Sequence, residues 1–121
     1  MVLLVKAYTK NPVGAHYGLR DWLLQRLTAV VMLAYTVAAA IAIVSAAPST
    51  YAAWRAMFAG TFFRVFTLLF FISLLYHAWV GMRDILMDYV HPTGARLALQ
   101  TAVGISLLMY LIWIVSVLWS R

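Results

Sequence analysis

One histidine, His77, stands inside a run with no charged residue from Val65 to Met82, between Tyr76 and Trp79. An imidazole in so apolar a setting is costly unless the ring has a partner. Two kinds of partner suit it. One is a hydrogen-bonding group on a neighbouring helix or in a small wet cavity. The other is haem iron, whose axial positions accept neutral imidazole. Further along stand Asp88 and Tyr89, about 16–18 Å from His77 if the segment is helical. Taken singly, they read as a solvated carboxylate and an interfacial aromatic. Taken together, they set a phenolic donor beside a carboxylate at the depth of a quinone headgroup. Reduction of a quinone needs hydrogen-bond donors and a route for protons.

These residues have to be positioned by elements that cross a bilayer. Spanning about 30 Å at about 1.5 Å per residue takes about 20 apolar residues. Three stretches qualify: residues 27–47, 65–82 and 97–120, each free of charge and bounded by arginine or proline. Backbone groups in lipid must be satisfied within the segment, so these are helices, and the expected fold class is an all-α integral membrane protein. The second helix is expected to run on past Arg83 towards Val90 and to stop before Pro92. Trp54 and Phe58 in the first connection suit a short helix at the membrane interface. The second connection, residues 91–96, is expected to turn tightly around Pro92 and Gly94. The whole chain is expected to form a single membrane-anchor domain, residues 1–121, with residues 1–26 as an N-terminal segment. Asn11-Pro12 and Gly14 mark irregular structure there. The first 20 residues lack the pattern of a cleavable signal peptide, since Lys6 and Lys10 follow the short apolar start.

Composition narrows the function. The 121 residues are 66% hydrophobic and 10% charged, too little charge to cover a soluble domain. The absence of cysteine excludes disulfides, thiolate metal sites and cysteine nucleophiles. The net charge of +6 comes from basic residues at the ends of apolar runs, which indicates membrane anchoring and no nucleic-acid partner. Lys6, Lys10, Arg20, Arg26, Arg83 and Arg96 fall on one face of the membrane, and Arg55, Arg64 and Arg121 on the other. The basic excess predicts the N-terminus in the cytoplasm and the C-terminus outside.

On a helix, Ser73, His77, Gly81, Asp84 and Asp88 share one side. Gly81, one turn from His77, either leaves room for a flat macrocycle or serves ordinary close packing of membrane helices. Asp84 is expected to pair structurally with Arg20, Arg26 or Arg96. A second axial ligand is hard to find within the chain. His16 precedes the first span, and His91 lies about 21 Å beyond His77. A bis-histidine haem would therefore need another chain, either a second copy or a different subunit.

The run Phe66-Thr67-Leu68-Leu69, the segment His77-Ala78-Trp79-Val80-Gly81-Met82, and Asp88-Tyr89-Val90 with Pro92 resemble the hydrophobic membrane-anchor subunit, the smaller of two, of bacterial succinate dehydrogenase. The segment from Asp21 to Ala29 resembles that family's start of the first span, and the likeness covers roughly residues 20–120. The resemblance implies one half of a heterodimeric haem-binding bundle in a bacterial inner membrane. It implies that His77 is an axial ligand of haem b, that Gly81 packs on the haem, and that Arg26 lies near its propionates. It implies that Tyr89 hydrogen-bonds ubiquinone and that Asp88 serves the same site or its proton path. The implied partners are the larger cytochrome b anchor subunit, which supplies the second haem ligand, an iron–sulfur subunit and a flavoprotein subunit. FAD, the iron–sulfur clusters and the dehydrogenation itself belong to the latter two, so the chain is not an enzyme alone. Two other readings stand beside this one: the anchor of a menaquinol-linked fumarate reductase, and a small structural subunit without cofactor.

Overall fold

The computed structural model describes the backbone of residues 13–120 and side chains from Gly18 to Ser120. Among the described residues the structure is wholly helical, with no strand: α1 (Val13–Ala46), α2 (Tyr51–Ala59), α3 (Thr61–Tyr89) and α4 (Thr93–Leu118). Three stretches are long and apolar enough to span a membrane: Gly18–Ala46, Thr61–Tyr89 and Thr93–Leu118.

The helices end where backbone chemistry requires it. Ala47, just past α1, has φ 43°, a left-handed conformation that usually falls to glycine. Its N–H still reaches the carbonyl of Ile43 at 2.8 Å, and Pro48 prevents any continuation. Thr50 then caps α2, its hydroxyl oxygen accepting the N–H of Ala53 at 3.2 Å. The short helix expected around Trp54 and Phe58 is thus present. α3 does continue past Arg83 and ends at Tyr89, before Pro92.

Two local expectations are corrected. Gly14 and residues up to Arg26 are helical, because α1 begins at Val13, while Asn11-Pro12 and the rest of residues 1–12 lie outside the described residues. The second connection is shorter than residues 91–96, since Pro92 sits at the N-cap of α4 and Gly94 and Arg96 lie in its first turns. Proline is favourable there because the first N–H groups of a helix have no partner within it.

α3 is the central element, packed against α1, α2 and α4. The chain buries almost nothing by itself: Val80 at 1% exposure and Leu86 at 8% are its only buried apolar residues among those described. Leu33, Ile41, Leu108, Ile112 and Trp113 point outward. Helices apolar on all sides have a driving force to enter lipid and little to collapse on one another in water. What joins them is packing of small residues and polar contacts. Gly104 of α4 faces the Trp79 ring of α3, where an added Cβ would lie 3.5 Å from it. α1 meets α3 through residues spaced by seven: Asp21 pairs with Arg83, Thr28 with His77, and Tyr35 with Thr67 and Phe70. Tyr35 and Thr67 hydroxyls are 2.6 Å apart, and the Tyr35 and Phe70 rings stack with centroids 4.6 Å apart. A seven-residue repeat covers nearly two turns and keeps these side chains on one stripe of the helix.

Candidate functional site

His77 lies in the second half of α3, half-buried against α1. Its Nδ1 is 3.1 Å from the hydroxyl of Thr28. Among the described residues its Nε2 has no hydrogen-bond partner. The ring therefore has one nitrogen committed to the neighbouring helix and one available, which is the arrangement of a metal-ligating imidazole with its orienting partner. The hydrogen-bonded and metal-ligating readings of His77 are thus compatible.

The ring opens on a groove of about 470 Å³ between α1 and α3, near their Asp21–Arg83 end. Trp22, Gln25, Arg26 and Ala29 line it from α1, and His77, Val80 and Asp84 from α3. Positions 22, 25, 26 and 29 share one helix face, as do 77, 80 and 84, so two regular helices suffice to build it. Arg26 lies over the Trp22 ring at 5.5 Å from its centroid, which holds the guanidinium along the groove wall. The Gln25 side-chain oxygen is buried and unpartnered among the described residues. Of three larger grooves, those of about 630 and 550 Å³ have mostly apolar walls along α3–α4 and α1–α3 and hold no charged group, while that of about 510 Å³ is lined by Arg55 and Arg64.

The structure brings together His77 and Arg26, and it adds Gln25 and Asp84. Gly81 does not line the groove, and an added Cβ there would meet nothing among the described residues within 4 Å. Asp88 and Tyr89 are not brought to His77; both are exposed at the end of α3, and Tyr89 is 79% exposed. The side chain of His16 lies outside the described residues, and His91 is exposed in the connection after α3.

The expected partner of Asp84 is corrected. Its carboxylate is 63% exposed and its nearest cation is the adjacent Arg83, at 3.9 Å, rather than Arg20, Arg26 or Arg96. Arg83 instead ties Asp21 across to α1. Only the docking of α1 on α3 selects that partner. Thr28 and Gln25 likewise reach the site only through that docking. The seven-residue spacing of Asp21, Thr28 and Tyr35 along α1 is the signal the sequence carries.

The family described as succinate dehydrogenase/fumarate reductase transmembrane subunit matches residues 8–117. The chain belongs to that family. It is also similar to the succinate dehydrogenase hydrophobic membrane anchor subunit of Coxiella burnetii, 39% identical over 102 residues that cover 84% of this chain and 89% of the relative. The matched residues run from α1 to Val117 in the last turn of α4 and include every residue of the groove. The three long apolar helices are those of a family of transmembrane subunits.

Proposed function

We propose that the chain is the membrane-anchor subunit of a succinate:ubiquinone oxidoreductase in a bacterial inner membrane. In this reading it supplies one axial ligand of a haem b shared with a larger anchor subunit, and part of the site where ubiquinone is reduced. The observation that carries it is His77, with Nδ1 engaged by Thr28 and the ring opening on a groove that also holds Arg26. The name of the Coxiella burnetii relative supports the succinate side over a fumarate reductase.

The described residues fit one half of a haem site. His77 offers a single neutral nitrogen donor, the ligand type that haem iron accepts. Arg26 offers a delocalised cation suited to a propionate carboxylate. Gly81 has no neighbour among the described residues that needs its small size, so its missing side chain leaves room for a group from outside. Among the described residues His77 is the one histidine lining the groove, so a second ligand would come from a partner subunit. When bound, haem b supplies one-electron chemistry and an iron bond joining two chains. His77 would hold the iron, Arg26 would balance the propionate charge, and Val80 and Ala29 would keep the wall of the groove apolar.

Tyr89 and Asp88 serve the quinone. Conversion of ubiquinone to ubiquinol takes two electrons and two protons. The electrons originate in the flavoprotein and iron–sulfur subunits, where FAD, the clusters and the dehydrogenation reside. The Tyr89 hydroxyl donates to a quinone carbonyl oxygen as negative charge grows on it. Asp88, exposed beside it, passes protons from the aqueous side. The basic excess on the face of Lys6, Lys10, Arg20, Arg26, Arg83 and Arg96 supports a cytoplasmic position for that end, where the soluble subunits dock.

The test is His77→Ala in membranes containing the assembled complex. Loss or alteration of the reduced b-type optical spectrum, with succinate–dye activity of the soluble subunits little changed, is the expected result. A normal spectrum removes His77 as the ligand. A complex whose wild-type form has no b-type spectrum is a cofactor-free anchor, and the haem reading fails entirely.

A further inference from the structure

The contact between Thr28 and His77 has a direction. Thr28 is 8% exposed, and its hydroxyl oxygen lies 2.7 Å from the Leu24 carbonyl, 3.1 Å from the Gln25 carbonyl and 3.1 Å from His77 Nδ1. A hydroxyl has one proton to give and lone pairs to accept with. Backbone carbonyls only accept. The shortest contact runs one turn back along its own helix, as do those from Thr67 to Phe63, Thr36 to Met32 and Thr101 to Leu97. This is the usual back-bond of a helical threonine, and it uses the proton. The oxygen then meets Nδ1 with a lone pair, so Nδ1 carries the ring proton and donates it. A neutral imidazole protonated at Nδ1 has its free lone pair on Nε2.

We propose that Thr28 is a positioning residue for the haem ligand, fixing the tautomer and the ring angle of His77 so that Nε2 is the nitrogen offered to iron. The proposal rests on the haem reading above. The alternative tautomer would have Thr28 donate to Nδ1, give up the Leu24 carbonyl and leave a proton on the nitrogen that must bind. The Leu24 carbonyl, 2.7 Å from the hydroxyl, opposes this by holding its proton. Thr28 is held between two other α1–α3 contacts, Asp21 with Arg83 on one side and Tyr35 with Thr67 on the other, so the hydroxyl and the ring are held in mutual register. Back-bonding also polarises the hydroxyl and strengthens it as an acceptor. An acceptor on Nδ1–H raises the basicity of Nε2. A more basic ligand favours ferric over ferrous iron and lowers the midpoint potential.

The experiment uses the assembled complex in membranes and reads the haem itself. Thr28→Val keeps the branched shape and loses the hydroxyl. It is expected to raise the haem midpoint potential, shift the g values of the ferric low-spin electron paramagnetic resonance signal, and weaken haem retention about 10–100-fold. Thr28→Ser keeps the hydroxyl and is expected to restore all three. A potential and g values equal to wild type in Thr28→Val overturn the proposal, as does a Thr28→Ser complex that behaves like Thr28→Val. Should Thr28→Val not assemble, the same bond is probed with Thr28 intact in His77→Gly complexes given imidazole or 1-methylimidazole. Only imidazole has an N–H to donate, so it is expected to give the lower potential; equal potentials overturn the proposal. His77→Ala separates the two levels. A normal spectrum there removes the ligand and the positioning role together. A lost spectrum there, with Thr28→Val unchanged from wild type, removes the positioning role alone.

Discussion

Tyr89→Phe separates a quinone contact from a membrane-belt aromatic more cleanly than any other substitution in the chain. The residue is 79% exposed, and its hydroxyl has no partner among the described residues. Removing the hydroxyl therefore breaks no hydrogen bond within the described chain, and the ring that does the packing stays. The change in assembly or thermal stability is expected to stay within about 0.5 kcal/mol, the range for a surface substitution. At a quinone the same hydroxyl faces developing negative charge. A hydrogen bond to a charged group contributes about 1.5–3 kcal/mol, and each 1.36 kcal/mol is roughly tenfold in rate. The expected loss in kcat/KM for ubiquinone is thus roughly 10- to 150-fold. The assay is succinate–quinone reduction at sub-saturating quinone, alongside haem content and succinate–dye activity, both of which are expected to remain near wild type. Equal quinone reduction by variant and wild type refutes the role of Tyr89. The companion change Asp88→Asn removes a titrating carboxylate while keeping its size, and the same assay is expected to fall. If only Asp88→Asn lowers it, the proton path stands and the quinone donor belongs to the partner subunit.

Asp21→Asn leaves Arg83 without its cross-helix anion. Both side chains are 31% exposed, so a cost of about 1 kcal/mol is expected in the thermal stability of the detergent-solubilised complex. Recovery in the exchange of Asp21→Arg with Arg83→Asp would trace that cost to the pair; no recovery would trace it to other contacts. For orientation, reporter fusions after Ser120 are expected to behave as periplasmic and those at His91 as cytoplasmic. The reverse pattern would overturn the charge argument and put Asp88 and Tyr89 on the face away from the soluble subunits.

The helical architecture was legible in the sequence because lipid allows few alternatives. Three charge-free runs bounded by arginine or proline, with no water to satisfy an open backbone, could only be helices. The same constraint made His77 conspicuous, since an imidazole in an apolar run needs a partner. Helix ends were less legible. Glycine is not a reliable stop, and Gly14 and Gly94 both lie inside helices. The first turn of a helix forms from local backbone preferences, which a single glycine does not override.

Side-chain partners were decided only by the tertiary structure. Sequence pointed to Asp84 as the acid needing a cation, yet Asp84 remains exposed and Asp21 takes Arg83. The choice depends on which stripe of α1 faces α3. In a helix apolar on every side, hydrophobic periodicity does not mark that stripe. The same docking brings Thr28 to Nδ1 of His77 across 49 positions of sequence and sets Arg26 and Gln25 along one groove with it. The sequence by itself determined that there would be membrane helices and a histidine among them. Only the packing of α1 on α3 determined which nitrogen of that histidine is held and which has no partner among the described residues, because a hydrogen bond depends on distance and direction rather than on residue type.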